Sequence, residues 1–140
     1  MINIATATKT TIAKPSQIFK LWADVEHWPV WDDSIEWVKL SGQFATGGKT
    51  KLKPKGGPAV KSVLASVEVD KSFVDVSSLP GAKLTFNHTI SVTGAKTTVT
   101  HQVTMSGLMA VFWAKVMGAN LRSGLQPALN KLVNLAEGNE

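Results

Sequence analysis

Residues 83–105 read KLTFNHTISVTGAKTTVTHQVTM, and their pattern is the clearest structural signal in the chain. Apolar and polar side chains alternate on both sides of Gly94-Ala95, which is typical of two antiparallel strands that each bury one face. A glycine at the first central position of a two-residue turn favours type II′ geometry, whose twist matches that of the strands. The turn therefore predicts a hairpin over 83–105 in which His88 lies opposite His101.

The alternation also predicts which side chains of this hairpin face the interior. A slip of one residue would turn the apolar face of one strand towards water, so the register is strongly determined. Both histidines fall on the apolar side, together with their neighbours at every second position. The predicted inward-facing set, which we take as candidate ligand-binding residues, is Phe86, His88, Ile90, Val99, His101 and Val103.

The histidine pair has two interpretations that the sequence leaves open. Counting from the turn places His88 and His101 at a non-hydrogen-bonded pair, where side chains lie closest, so at most one should be charged at pH 7. The pair could be a structural one, with the two imidazoles hydrogen-bonded to each other. It could equally be a polar spot in an apolar cavity that orients a ligand oxygen or moves a proton, which makes both residues candidate catalytic groups.

Metal binding is a weaker interpretation of the same two histidines. A third ligand would have to come from Glu36, Glu68 or Asp75, and no spacing in the sequence requires it. We therefore predict no metal site.

Outward from the hairpin, the remaining elements form a simple order. Periodicity predicts a first strand, a short helix that begins at Pro15, a further helical turn, four strands, the hairpin and a long final helix. Gly118, Gly124 and Pro127 predict a bend or break in that helix. The order favours a single α+β domain that spans residues 1–140, with a helix on one face of an antiparallel sheet. The predicted strands are 2–12, 34–40, 49–53, 60–69, 72–78, 83–92 and 96–105; the further helical turn lies in the connection 24–33, and the long helix spans 108–137.

Four of the five tryptophans fall between positions 22 and 37. Trp22 is predicted to pack the short helix onto the sheet. Trp37, on a strand, could belong to the core or to a cavity wall. Trp113 is predicted to line a cavity, because Met117 and Asn120 accompany it on one side of the last helix.

Composition narrows the class of protein. The chain is 44% hydrophobic and 18% charged and has no cysteine, which fits a folded domain without disulfides. No signal peptide or membrane-spanning segment is recognisable, so we expect a cytoplasmic protein. The net charge is +5, and the alternating Lys49, Lys51, Lys53 and Lys55 are interpreted as a solvated strand face. Nucleic acid is not a predicted partner, since no aromatic platform or known motif accompanies the lysines.

Several segments together resemble a known family. PSQIFKLWAD at 15–24 and WPVWD at 28–32 look like the opening of the polyketide cyclase/dehydrase-like branch of the START superfamily, also called SRPBCC. SLPGAKLTFNHTI at 78–90, THQVTMSGL at 100–108 and the basic, leucine-rich last helix are similar to the same branch. The resemblance implies a helix-grip fold: about seven strands grip the last helix, two short helices close one end, and a cavity lies between helix and sheet.

That resemblance implies no universal catalytic residue, so two functions stay open. One is binding of a hydrophobic or aromatic small molecule in the cavity. The other is a cyclase or dehydratase activity with the histidines as acid and base, helped by Asp32 and Asp33 if these lie at the cavity mouth. A helix cap or solvated charges explain those two aspartates more simply. An interaction module ranks third; no cofactor is implied, and the oligomeric state is undetermined.

Overall fold

The computed structural model describes residues 1–138 and shows a seven-stranded antiparallel sheet gripped around a long helix. The α+β helix-grip architecture is therefore confirmed. The helices are α1 (Pro15–Ala23), a 3₁₀ helix (Val25–Val30) and α2 (Ala110–Ala136). The strands are β1 (Ile2–Thr11), β2 (Ile35–Ser41), β3 (Lys49–Pro54), β4 (Val60–Glu68), β5 (Ser72–Leu79), β6 (Ala82–Thr93) and β7 (Lys96–Ser106).

The sheet order is β1-β7-β6-β5-β4-β3-β2, so the first strand closes onto the last one. The β6–β7 hairpin has the predicted register, with His88 opposite His101 and Phe86 opposite Val103. Gly94 has φ of +62°, the left-handed value that the first central residue of a type II′ turn requires. Register shifts in β1, β2 and β4 mark bulges, which increase local twist and help the sheet to curve.

Helix α2 crosses the concave face and lies mainly over β1. Of the predicted bend or break, the break is wrong: α2 is one continuous helix that carries Pro127 in its interior. Its buried side chains continue through the proline, from Leu125 at its edge to Leu129 and Leu132, which are fully buried. Apolar contact on both sides of Pro127 thus holds the helix together in spite of the backbone hydrogen bond that proline removes.

The convex face of the sheet carries the alternating lysines. Lys51 lies directly between Lys39 of β2 and Lys61 of β4, so three ammonium groups occupy one cross-strand row. All three side chains are exposed, whereas Lys53 is half-buried and pairs with Glu36 at 3.3 Å. Within residues 1–138, none of the helices is long and apolar enough to cross a membrane.

Candidate functional site

The two histidines are in contact, but edge to face rather than through a hydrogen bond. Their ring centroids lie 4.6 Å apart at an interplanar angle of 73°. His88 stacks on the Phe73 ring, 3.7 Å away, and its Nδ1 donates to the Phe73 carbonyl oxygen at 3.2 Å. The mutually hydrogen-bonded pair that the sequence allowed is therefore not what forms.

His101 finds its partner on α1 instead. The Trp22 indole Nε1–H donates to Nε2 of His101 over 3.3 Å. Because an indole nitrogen can only donate, Nε2 carries no proton, and the neutral ring holds its proton on Nδ1. Trp22 thus packs the short helix onto the sheet, as predicted, and also fixes the tautomer of a buried histidine.

Both imidazoles are neutral near pH 7. Burial lowers the pKa of His101 to about 3. Burial, followed by the neighbouring His101, lowers the pKa of His88 well below its ordinary value. This agrees with the expectation that at most one of them is charged, and it makes both rings weak bases at their present positions.

Aromatic side chains enclose the pair. The Trp31 ring lies 6.1 Å from His101, and Trp28 lies 6.2 Å from Trp31 and 5.9 Å from Phe73. The Trp28 indole donates to the Trp22 carbonyl oxygen at 2.9 Å, which locks the 3₁₀ helix onto α1. In this conformation the two imidazole rings are packed among aromatic side chains.

A second group of buried polar side chains lies next to this cluster, on the concave face of β3, β4 and β5. Thr50 pairs with Ser62, and Ser62 pairs with Ser77, so the three hydroxyls form one row across the strands. The hydroxyls of Ser62 and Ser77 hydrogen-bond at 2.6 Å. Asp75 shares this face two residues along β5, and all four residues are buried. We name Thr50, Ser62, Asp75 and Ser77 the inner polar row.

Two atoms of the inner polar row have no hydrogen-bond partner among residues 1–138: Oδ1 of Asp75 and Oγ1 of Thr50. Asp75 is only 4% exposed, and burial raises the pKa of its carboxyl group to about 7. An unpaired buried polar group is destabilising by about 1–3 kcal/mol, so most such groups in folded proteins are paired. The row can therefore receive a polar atom that the chain itself does not supply.

The structure distributes the other predicted site residues over four places. Phe86, Val103, Trp113 and Met117 meet in one apolar cluster under the first half of α2. Ile90 and Val99 belong to the larger cluster that surrounds the histidines.

Two predicted residues lie away from the interior. Trp37 is on the convex face, because its neighbour Val38 points into the core, and its ring lies 5.5 Å from the Lys39 ammonium group. Asn120 is exposed on α2, since the buried stripe of the helix passes through Met117 and Leu121 and misses position 120. Of the acidic residues considered as a third metal ligand, only Asp75 is buried.

Asp32 and Asp33 border a depression of about 230 Å³ between α2 and the start of β2. Asp33 accepts from the Lys131 ammonium group at 2.7 Å, and Lys131 lowers the pKa of this carboxyl. Asp32 accepts from the backbone and hydroxyl of Ser34, and burial raises its pKa. Trp31 forms part of the wall, with His101 behind it. The predicted mouth therefore coincides with a surface depression that Trp31 separates from the histidines.

Sequence reasoning missed the inner polar row, although a signal was present. In β5 the alternation Phe73, Asp75, Ser77 puts a carboxyl and a hydroxyl in the inward phase of an apolar strand. Ser62 and Thr50 occupy the inward phase of the two neighbouring strands. Each residue alone resembles an ordinary polar strand residue, and only the strand pairing reveals that they form one row.

Comparisons with known proteins agree with this architecture. No curated protein is significantly similar to the chain in sequence. The solution structure of KanY matches with a TM-score of 0.77 at 18% identity, over 98% of each chain. Truncated norcoclaurine synthase from Thalictrum flavum matches with a TM-score of 0.75 at 11% identity, over 100% of this chain and 98% of the other. These similarities establish the fold.

A third solved structure, the Zhui aromatase/cyclase from Streptomyces sp. R1128, has a TM-score of 0.73 at 14% identity, over 95% of this chain and 92% of its own. The family model described as polyketide cyclase / dehydrase and lipid transport matches residues 3–137. That match spans nearly the whole domain, from β1 to the end of α2. The chain therefore belongs to the polyketide cyclase/dehydrase and lipid transport family.

Proposed function

We propose that this protein binds an apolar small molecule that carries a hydroxyl or carbonyl group, held between the concave face of the sheet and α2. The observation that carries the proposal is the unpaired Oδ1 of Asp75, buried on the concave face between hydroxyl and apolar side chains. Small-molecule sites typically combine apolar walls with a few polar groups that fix orientation. Membership of a family described by polyketide and lipid chemistry supports the same class of ligand.

The protonation state of Asp75 suits a neutral ligand. Below a pKa of about 7 the carboxyl group is protonated, so it can both donate and accept a hydrogen bond. Thr50, in the same row, adds a hydroxyl that has no hydrogen-bond partner among residues 1–138. A ligand oxygen bound at Asp75 would relieve its unpaired carboxyl oxygen, while the carbon skeleton of the ligand would contact Leu64, Leu84 and Phe86 on the same face.

Entry is proposed at the depression beside Asp33 and Lys131. Trp31 stands between that depression and the histidines, so the indole must swing aside for a ligand to reach the interior. The histidines then act as the polar edge of an aromatic wall and help to hold Trp22 and Phe73 in place.

Isothermal titration calorimetry tests the binding proposal with two probes of one carbon skeleton, 1-naphthol and naphthalene. The wild type should prefer 1-naphthol by about tenfold, because one well-formed hydrogen bond in a dry site is worth roughly 1.5 kcal/mol. Asp75→Leu should remove the preference, and Asp75→Asn should keep it, since an amide also donates and accepts. Asp33→Leu is the matched control at the surface. An unchanged preference in Asp75→Leu would refute the role of Asp75.

A cyclase-type or dehydratase-type activity is the second candidate, and one observation favours it. The carboxyl of Asp75, with a pKa of about 7, is matched to proton transfer near neutral pH, whereas both histidines have lowered pKa values. This moves the proposed acid–base group from His88 and His101 to Asp75. Asp75→Asn separates the two functions: an enzyme variant binds but loses turnover of a polyketone, whereas a carrier has no turnover to lose.

A further inference from the structure

The segment that leads into α2 exposes large apolar side chains. Leu108 is fully exposed, and Val111, Phe112 and Val116 are each at least half exposed. Their spacing puts Phe112 and Val116 side by side on the outer face of the helix, with Leu108 just before its first turn. We name Leu108, Val111, Phe112 and Val116 the α2 apolar face.

This face belongs to a firmly anchored part of the molecule. The backbone N–H of Met109 donates to the Gly81 carbonyl oxygen at 2.9 Å, and the Trp113 indole donates to that of Pro80 at 2.8 Å. On the opposite side of the helix, Ala110, Trp113 and Met117 pack against the core. The apolar side chains are therefore exposed because their positions face outward, and not because the helix is detached.

Cationic side chains without acidic partners accompany the α2 apolar face. Lys115 and Arg122 lie two turns apart on the same exposed side, between the positions of Val111 and Phe112 around the helix, and neither forms an ion pair with another residue of 1–138. The sequence has no aspartate or glutamate between Val76 and Ala136, while it has five lysines and arginines there. The first half of α2 is thus apolar and cationic on its exposed side, whereas the acidic partner of the helix, Asp33, lies further along at Lys131.

We infer that the α2 apolar face docks onto an anionic lipid bilayer. Amphipathic helices that combine apolar and basic residues lie in the plane of the membrane interface and bury their apolar side chains at the headgroup boundary. Lys115 and Arg122 would extend their charged ends to lipid phosphates while their stems stay along the apolar surface. The charge pattern therefore complements a negatively charged membrane surface.

A second copy of the chain fits this face less well. A two-fold contact would bring the same surface of both copies together. Lys115 and Arg122 would then approach their own counterparts with no acid on either helix segment to pair with them. Desolvating unpaired like charges is unfavourable, whereas a phosphate-rich surface supplies counter-charges.

Vesicle co-sedimentation at low salt tests the inference with two vesicle types: phosphatidylcholine alone, and equal parts of phosphatidylcholine and phosphatidylglycerol. One double variant, Leu108→Asp with Phe112→Asp, removes the apolar contact. A second, Lys115→Glu with Arg122→Glu, reverses the local charge. The matched control, Lys51→Glu with Lys61→Glu, makes the same net change in charge on the convex face.

The wild type should sediment with the anionic vesicles, and both helix variants should bind these vesicles at least about tenfold more weakly than the wild type. The convex-face control should stay within about twofold of the wild type. Three results would overturn the inference: no sedimentation of the wild type, an equal loss in the control, or sedimentation equilibrium showing a dimer that Leu108→Asp with Phe112→Asp dissociates. Binding of 1-naphthol is measured separately, so failure of one proposal does not decide the other.

Discussion

The carboxyl group of Asp75 lies in the interior with one oxygen unpaired and a pKa raised to about 7 by burial. Such a group lowers the stability of the folded protein at neutral pH, because folding removes an ionised carboxylate from water. An inward-facing leucine or valine would avoid that penalty. The presence of an acid at this position, in spite of its cost in stability, therefore supports a role for Asp75 in binding.

Asp75→Asn should stabilise the protein in a pH-dependent manner. The raised pKa means that the contribution of Asp75 to stability is present below its unfolded pKa of 3.8 and is lost as the pH rises through about 7. The amide does not titrate, so its advantage over the wild type should grow between pH 4 and pH 8 to roughly 4 kcal/mol. Urea unfolding at both ends of this range measures the difference.

Asp33→Asn is the control for this pH series. Lys131 lowers the pKa of Asp33, so this carboxylate contributes stability above its unfolded pKa, and the variant should be no more stable than the wild type at pH 8. If the free energies of unfolding of Asp75→Asn and the wild type differ by the same amount from pH 4 to pH 8, the pKa of Asp75 is not raised in the folded protein.

At the same scale, the sequence predicts the histidines well and their partners poorly. A two-residue turn and strict alternation determine the pairing of His88 with His101, because a slip would expose an apolar face. The hydrogen bond from Trp22 and the stacking on Phe73 join α1, β5 and the hairpin. Contacts between elements distant in sequence have no periodic signal, so they appear only in the folded chain.

Among the elements, α2 shows where a local propensity is overridden by tertiary contact. Gly118, Gly124 and Pro127 each disfavour a helix, yet the helix runs unbroken from Ala110 to Ala136. Burial of Leu129, Leu132 and Val133 against the sheet stabilises the segment after the proline. The periodicity of the apolar residues therefore predicts this helix better than its glycines and proline do.

Gly124, within α2, and Gly107, just before it, should respond in opposite directions to replacement by alanine. Gly124 is helical, and an added Cβ would meet no atom within 4 Å, so Gly124→Ala should stabilise by about 0.5–1 kcal/mol. Gly107, just before α2, has φ of +108°, and its Cβ would lie 2.6 Å from the Gly81 carbonyl oxygen. Gly107→Ala should therefore destabilise by about 1 kcal/mol or more.

Thermal unfolding of the two glycine variants, measured side by side, checks this pair. A lower melting temperature for Gly124→Ala would mean that position 124 needs the flexibility of glycine, for instance for movement of α2 over the neighbouring depression. An unchanged melting temperature for Gly107→Ala would contradict the tight contact between the β5–β6 turn and the start of α2.

For the whole molecule, the element order predicts an antiparallel sheet with a helix on one face, and that order is confirmed, as is the inward phase of the β6–β7 hairpin. The sequence does not predict that the histidine region is filled by Trp22, Trp28, Trp31 and Phe73, because packing depends on how four elements meet. Nor does it reveal that three separate strands place the inner polar row together. The fold was thus largely predictable, and the candidate site only in part.

A crystal structure of the protein with 4-bromo-1-naphthol, located by the anomalous signal of its bromine, would show directly whether Asp75 binds a ligand oxygen. We expect the probe between the concave face and α2, with its hydroxyl oxygen within hydrogen-bond distance of Asp75. A probe bound only in a surface depression, or in the interior with its oxygen away from the inner polar row, would contradict it.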